Sequence, residues 1–261
     1  MSATALRAAE VSAEVLYRYT LHLGDTSLIL AQRLGEWIGH APALEEDLAL
    51  ANVGLDLIGQ ARYLLSYAAE LEGKGRTEDD LAFLREPSDF TNLSLVEQPN
   101  GDFGHTIVRQ LLIDAWQLEL FERLQSSTAS KLAELAAKAL KETRYHFRFS
   151  AGWVVRLGDG TEESHRRVQE ALDDLWKFTR ELFAPSEVDG QAAAERIAPD
   201  LATLRSPWDA RIDEVLRQAT VVKPAPVAYA WHGKNAQHSE HLSRLLAEMQ
   251  YMQRTYPGAR W

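Results

Sequence analysis

The stretch "LALANVGLDLIGQARYLLSYAAELEG", Leu48 to Gly73, decides the fold class. Apolar residues recur through it at spacings of three and four, and no strand-like alternation between turn residues interrupts them. The predicted helix begins near Leu44 and ends near Glu72, where "EGKGRTEDD" supplies two glycines and a run of charges. It is apolar on more than one face, which is typical of a helix packed among several others. The pattern indicates an all-α protein.

The same periodicity on both sides predicts further helices. A first helix is expected from about Glu10 to Ile38, because its apolar residues share a face and Gly39 and Pro42 then end it. Other helices are predicted at about 105–125, 131–157 and 162–183, with short ones at 208–218 and 237–254 and a loop-rich region at 184–207.

A turn-rich connector at 73–104 separates the second predicted helix from the third. A loop of this length inside a domain is usually functional or packed on a partner. Four long helices with one long crossover match a ferritin-like four-helix bundle, here with additional C-terminal helices. We expect a single domain over residues 1–261.

Composition narrows the classes of function. Apolar residues make up 46% of the chain, and the absence of cysteine excludes disulfides, thiolate metal sites and thiol nucleophiles. A formal charge of -10 gives no electrostatic reason to bind nucleic acid or an anionic membrane, and favours basic partners. The N-terminus lacks a signal-type apolar core and no uncharged apolar stretch of about 18 residues follows, so we expect a cytoplasmic protein.

The segment "KALKETRYHFRF", residues 138–149, raises the question of a metal site. Ferritin-like di-iron proteins take a Glu from each of two helices and a Glu-x-x-His from each of the other two. Here Glu142 lies four residues before His146, and the residue three before His146 is Thr143. Thr143 and His146 fall on the inward stripe of the predicted helix, whereas Glu142 is expected at its rim.

Asp114 falls among buried positions of the preceding helix, where a carboxylate needs a partner, and His146 is the expected one. The two residues are either metal ligands or a satisfied polar pair in a helical core. The second interpretation is favoured, because a di-iron site needs about six ligands and the second helix contains no Glu followed at three by His. Asn52, Asp56 and Gln60, spaced by four, are expected to form a hydrogen-bonded ridge there.

Two further motifs resemble ligand pairs. Glu162 and His165 form a true Glu-x-x-His, but they follow a Gly-rich turn where Thr161 is a natural N-cap, so capping explains them. His238 and His241 could hold a surface metal, although no carboxylate partner is evident.

Several long segments, in order, carry a resemblance to a known family. The chain closely resembles the non-catalytic, ferritin-like subunits of bacterial phenylacetyl-CoA 1,2-epoxidases, which are multicomponent ring oxygenases. The matching segments are "YTLHLGDTSLILAQRLGEWIGHAP", "LALANVGLDLIGQARYLLSYAAELEG", "LVEQPNGDF", "KETRYHFRFSAGW" and "LAEMQYMQR". The likeness covers nearly all of the chain after about Tyr17, so residues 1–16 are expected to be an N-terminal extension.

The resemblance implies a division of labour between two related subunits. A homologous catalytic subunit holds the di-iron centre, and the subunit resembled here pairs with it and stabilises it, with no cofactor of its own. The catalytic motif is similar to K-E-E-x-x-H on the fourth helix and D-E-x-G-H on the second. By this comparison, the vestigial metal-site positions in this chain are Ser27, Leu57, Gln60, Asp114, Thr143 and His146.

The resemblance also implies that loops of this subunit approach the CoA portion of phenylacetyl-CoA, which the partner holds for the most part. The matching positions are Asp89, Phe90, Thr91, Asn92, Gly190, Gln191 and Ala192. From the residues alone, "PSDFTN" is equally consistent with a simple turn. Two alternatives remain for the whole chain: an active di-metal oxidase with unorthodox ligands, or a ferritin-like binding protein that acts alone.

Overall fold

Two antiparallel helix pairs form the centre of the molecule in the computed structural model, which describes residues 3–226, 228 and 231–259, with side chains from residue 12 onward. In chain order the helices are α1 (Ala3–Trp37), α2 (Leu44–Glu72), α3 (Glu78–Phe83), α4 (Phe103–Leu124), α5 (Ser130–Gly158), α6 (Glu162–Trp176), α7 (Glu187–Ala194), α8 (Ala202–Gln218), α9 (Glu240–Met249) and α10 (Tyr251–Thr255). α1 pairs with α2 and α4 with α5. The predicted all-α, ferritin-like architecture is confirmed.

The ends of the long helices follow local chemistry. Gly73 closes α2 in the left-handed conformation, with φ of 67°, which a glycine adopts without steric cost. Asp102 caps α4 by accepting a hydrogen bond from the backbone N–H of His105 at 2.9 Å. Thr161 caps α6 in the same way through Ser164, as predicted, while His165 donates back to the Gly158 carbonyl at 2.7 Å.

The connector between α2 and α4 packs on its own chain. It contains α3 and a 3-10 turn at Pro87–Asp89, and nearly all of residues 90–98 are buried. Arg85 forms a buried ion pair with Asp25 of α1, and the Thr91 N–H donates to the same carboxylate at 2.9 Å. A second, later segment lies against the connector at Gly233, where a Cβ atom would approach the Asn92 carbonyl oxygen to 2.3 Å.

The C-terminal third differs from the prediction. The helix expected at 162–183 ends at Trp176 and gives way to a 3-10 segment, Thr179–Phe183. The region 184–207 was expected to be loop-rich, but it holds α7 and the start of α8. α7 begins with a reciprocal capping box between Ser186 and Asp189, and α8 continues through Pro207, which the prediction wrongly took as a boundary.

The N-terminal part of the chain also differs. α1 begins at Ala3 rather than near Glu10, so most of the expected extension is continuous with the first helix, while Met1 and Ser2 lie outside the described residues. Ile38, which was expected on the buried face of α1, lies beyond its end and is 57% exposed.

One hydrophobic cluster runs from the helix pairs out to α6, α8 and α9. Trp208 is fully buried and its indole N–H donates to the Leu112 carbonyl at 3.0 Å, so α8 is fixed on α4. In the part of the chain that is described, no helix is long and apolar enough to cross a membrane.

Candidate functional site

The six positions predicted to be vestigial metal-site positions are all buried on the four long helices. Ser27 lies on α1, Leu57 and Gln60 on α2, Asp114 on α4, and Thr143 and His146 on α5. All six side chains are buried, with Gln60 the most exposed of them at 4%. Helical periodicity predicts the burial of Asp114, Thr143 and His146, while Ser27, Leu57 and Gln60 were named from the family resemblance.

Asp114 is fully buried and accepts two hydrogen bonds. Gln110 Nε2, one turn earlier on α4, donates to Oδ1 at 2.6 Å, and the Ser150 hydroxyl of α5 donates to Oδ2 at 2.8 Å. Desolvation by burial raises the pKa of Asp114 to about 6, although His146 and the two donors oppose the shift. Each oxygen of the carboxylate thus accepts one hydrogen bond within the protein and keeps a further lone pair.

His146 does not hydrogen-bond to Asp114, so the predicted partner was wrong. Its Nε2–H donates instead to Asp56 Oδ2 of α2 at 3.0 Å. Nδ1 is buried and, among the described residues, has no hydrogen-bond partner. Since Gln110 and Ser150 already satisfy Asp114, the imidazole is left to join α5 to α2.

A second polar bridge joins the same two helices. Gln60 Nε2 donates to Glu142 Oε2 at 2.9 Å, and Lys138 lies 3.9 Å from the other oxygen of Glu142. The predicted ridge of Asn52, Asp56 and Gln60 along α2 was wrong, because Asp56 and Gln60 reach across to α5 and Asn52 is exposed. Glu142 lies at the rim as expected, but its hydrogen bond with Gln60 was not predicted from the sequence.

The remaining positions offer no ligand set for two metal ions. Leu57 has no donor atom, and the Thr143 hydroxyl donates to the Ala139 carbonyl one turn back at 2.9 Å. Among the described residues, no three His, Asp or Glu side chains are grouped closely enough to hold a metal ion. A di-iron centre requires several carboxylates to balance its charge, so the residues at these positions do not fit one.

The two segments predicted to approach CoA, residues 89–92 and 190–192, both lie beside α1. His22 donates from Nδ1 to the Thr91 carbonyl and interacts electrostatically with Asp189 of α7. Asp89 and Gly190 are exposed and Thr91 and Gln191 half-buried, whereas the other three residues of the two segments are buried: Phe90, Asn92 and Ala192. Of these seven residues, only Asp89, Thr91, Gly190 and Gln191 can therefore touch a ligand without rearrangement.

A cleft of about 600 Å³ opens beside Asp89, and its charged lining residues are Glu14, Glu72, Lys74, Arg76, Arg85 and Asp89. Lys74 and Arg76 both bond to Glu72, and their hydrogen bonds, Arg76 foremost, lower the pKa of Glu72 to about 2. The cleft thus carries three cationic and three acidic side chains, so its charges are balanced rather than cationic.

A buried ion pair that the sequence analysis missed lies under the C-terminal segment. His238 Nδ1 is 2.9 Å from Glu97 Oε2, and His238 Nε2 is 2.8 Å from the Phe90 carbonyl oxygen. The expectation that His238 lacks a carboxylate partner was wrong, because Glu97 lies far away in the sequence. Burial lowers the pKa of His238, but Glu97 and the Phe90 carbonyl outweigh it and the pKa is raised. Both ring nitrogens face acceptors, which favours the imidazolium.

Comparison with known proteins adds two findings. The family model described as "Phenylacetic acid catabolic protein" matches residues 2–261. The chain is also 56% identical over 246 residues to one of the subunits of the 1,2-phenylacetyl-CoA epoxidase of Escherichia coli strain K12, an alignment that covers 94% of this chain and 99% of that relative.

Proposed function

Since this chain belongs to the phenylacetic acid catabolic protein family, we propose that it is a non-catalytic subunit of a phenylacetyl-CoA epoxidase. It takes part in phenylacetate catabolism as one component of a multisubunit complex. In that complex it pairs with the di-iron catalytic subunit and stabilises it, while holding no metal of its own.

The observation that carries this proposal is the state of the core site. Each oxygen of Asp114 accepts a hydrogen bond from the protein, His146 is bonded to Asp56, and Leu57 stands where a ligand is needed. The same contacts link α5 to α2 and to α4, so the bundle keeps its shape through hydrogen bonds rather than through metal ions. This disfavours an active di-metal oxidase.

An exposed apolar stripe on α2 supports pairing with another subunit. Leu44, Leu48 and Leu55 recur at spacings of four and seven on the outer side of the helix and are 69%, 55% and 64% exposed. Ile58, 37% exposed, continues the stripe. A contiguous exposed apolar patch of this kind marks a protein–protein interface, so we assign the α2 stripe to the catalytic subunit.

We further propose that Asp89, Thr91, Gly190 and Gln191 approach the CoA portion of the substrate held by the catalytic subunit. The adjacent cleft supports this through Lys74 and Arg76, whose side chains are 73% and 35% exposed and can therefore contact an anionic ligand. Phe90, Asn92 and Ala192 then maintain the backbone of the two segments from within the core. Substitution of Lys74 and Arg76 by Ala should raise the KM for phenylacetyl-CoA in the assembled complex more than it lowers kcat.

Co-expression tests the pairing. The di-iron subunit should be poorly soluble alone and should co-purify with this chain as a heterodimer. The double variant Leu48→Glu/Leu55→Glu should fold, because both side chains are exposed, yet fail to co-purify. The control Leu84→Glu/Val222→Glu, at residues 53% and 72% exposed elsewhere, should pair normally. A soluble catalytic subunit that ignores the wild-type chain would overturn the proposal, as would a stand-alone homo-oligomer of this chain.

A further inference from the structure

The outer face of α5 carries four cations that lack a carboxylate partner. Lys141, Arg144, Arg148 and Arg156 are exposed, and none forms an ion pair with any residue in the described part of the chain. Among exposed arginines elsewhere, Arg166, Arg217 and Arg244 each bond to a carboxylate on their own helix. Arg18 and Arg196 are exposed without an ion pair to any described residue, but each stands alone rather than in a row on one helix. The formal charge of the chain is -10. A row of unpaired cations on one of its helices therefore indicates a surface that binds negatively charged groups of another molecule.

The four cations form a stripe along the helix. Residues three, four and eight apart lie on one side of an α-helix, and the distance from Lys141 to Arg156 is about 22 Å at 1.5 Å per residue. This length corresponds to a partner helix of about four turns. The positive charge is therefore arranged along a line rather than around a point.

A groove between α5 and α8 borders the C-terminal half of this stripe. Its volume is about 640 Å³, and its lining is mostly apolar and small, with Phe147, Ala151, Gly152 and Val155 from α5 and Ala210 and Val215 from α8. At Gly152 an added Cβ would meet nothing within 4 Å. The groove is thus open to solvent at Gly152, and the small side chains that line it allow the backbone of another helix to approach closely.

The groove is also charged at its edge. Arg211 of α8 is held by a 2.6 Å hydrogen bond from its Nε to Glu119 Oε1, and its guanidinium lies 5.9 Å from the centre of the Phe147 ring. Arg156 stands on the opposite side, 5.1 Å from the centre of the Trp153 ring. Glu214 also lines the groove, but it is bonded to Arg217, so Arg156 is the charged lining residue that lacks an ion-pair partner among the described residues.

We propose that this surface binds an acidic amphipathic helix of a protein partner, a component of the complex other than the di-iron subunit. Apolar residues of that helix, at spacings of three and four, enter the groove, and its carboxylates pair with the cationic stripe. Charge complementarity selects an acidic partner, because uncompensated guanidinium and ammonium groups steer and orient negatively charged surfaces. This inference rests on the proposed function. The net charge of the whole chain favours basic partners, but the outer face of α5 is positively charged and favours an acidic one.

Binding measurements on the assembled heterodimer test the inference. The heterodimer of this chain with the di-iron subunit is immobilised, and each remaining purified protein component of the epoxidase is titrated at low and at high salt. One component should bind, with affinity that falls steeply as salt rises. Arg144→Glu/Arg148→Glu and, separately, Gly152→Trp should each weaken that binding at least ten-fold.

A matched control separates local from net charge. Lys177→Glu/Arg196→Glu makes the same change in net charge at exposed residues elsewhere and should leave the affinity within two-fold of wild type. The inference is overturned if the groove variants bind as the control does, or if they lose the di-iron subunit instead. It is also overturned if the groove variants abolish a self-association of the isolated chain, since the occupant would then be a second copy. Failure of the wild-type heterodimer to form at all would count against the proposed function and not against the groove alone.

Discussion

The imidazole of His146 lies 3.0 Å from the carboxylate of Asp56 on the neighbouring helix and is not hydrogen-bonded to Asp114. Asp114 and His146, which were predicted to pair with each other, therefore each hydrogen-bond to other residues. Asp56 is 41% exposed at its side chain while His146 is fully buried, so the contact runs from the core to the surface between α2 and α5. A position that resembles a metal ligand by sequence acts here as a helix-to-helix contact.

Asp114 should make the stability of the protein fall between mildly acidic and neutral pH. Its pKa is raised from 3.8 to about 6 by burial, so the folded state keeps a proton that the unfolded chain has lost across this window. The difference of about 2 pKa units corresponds to a loss of ~3 kcal/mol in the free energy of unfolding as pH rises through it. Asp114→Asn removes this titration and should be more stable than wild type at pH 7.5 but not at pH 4.5, as measured by urea unfolding.

The control for this prediction is Asp159→Asn, an exposed carboxylate just beyond α5, which should change stability little at either pH. An Asp114→Asn variant that is less stable than wild type at pH 7.5 would show that the ionised carboxylate is needed in the core.

His146 should tolerate an apolar replacement. Its buried Nδ1 has no partner among the described residues and its one partner, Asp56, can turn to solvent. His146→Met keeps most of the volume and should change the free energy of unfolding by less than ~1.5 kcal/mol. The assembled epoxidase containing this variant should keep at least half of its activity, whereas a large loss of activity with normal assembly would place His146 in the chemistry.

The His238–Glu97 pair should make the C-terminal segment sensitive to alkaline pH. The pKa of His238 is raised, so its contribution to stability is fully present below the unfolded value of about 6.5 and is lost as pH rises through the folded value. Hydrogen exchange in α9 and α10 should accelerate at high pH in wild type, beyond the intrinsic pH effect. His238→Gln should exchange faster already at pH 6 and show a weaker further rise, and equal protection in both proteins at pH 6 would contradict this account.

Restoring ligands at the vestigial positions should create a metal dependence. The triple variant Leu57→Glu/Gln60→His/Thr143→Glu places two more carboxylates and an imidazole in a core where all three positions are buried. Without metal, the buried charges should lower its melting temperature. Addition of ferrous or cobalt ion should raise the melting temperature of the triple variant but not of wild type, and the absence of any difference would argue that these positions never formed one site.

The long helices were predictable because their signals are local. The bounds of α2 were predicted correctly, since an apolar pattern ends at Gly73, and the capping of α6 by Thr161 follows from adjacent residues. The burial of Asp114, Thr143 and His146 also follows from helical periodicity.

The errors concern choices between distant partners. Asp56 could bond along its own helix or across to His146, and only the packing of α2 on α5 decides which. His238 and Glu97 lie 141 residues apart, so no local pattern joins them. Pro207 lies inside α8 because the fully buried Trp208 holds that helix on the core, and this tertiary contact outweighs a local preference against helix.

The central claim is that the bundle works without metal, and the iron content of the isolated chain tests it most directly. The chain should be expressed alone in iron-replete medium, purified without chelators and analysed for iron per protein molecule. We predict far less than one iron per chain, with the catalytic subunit prepared in parallel as the positive control. About two tightly bound irons per chain, the content of a complete di-iron site, would contradict the account.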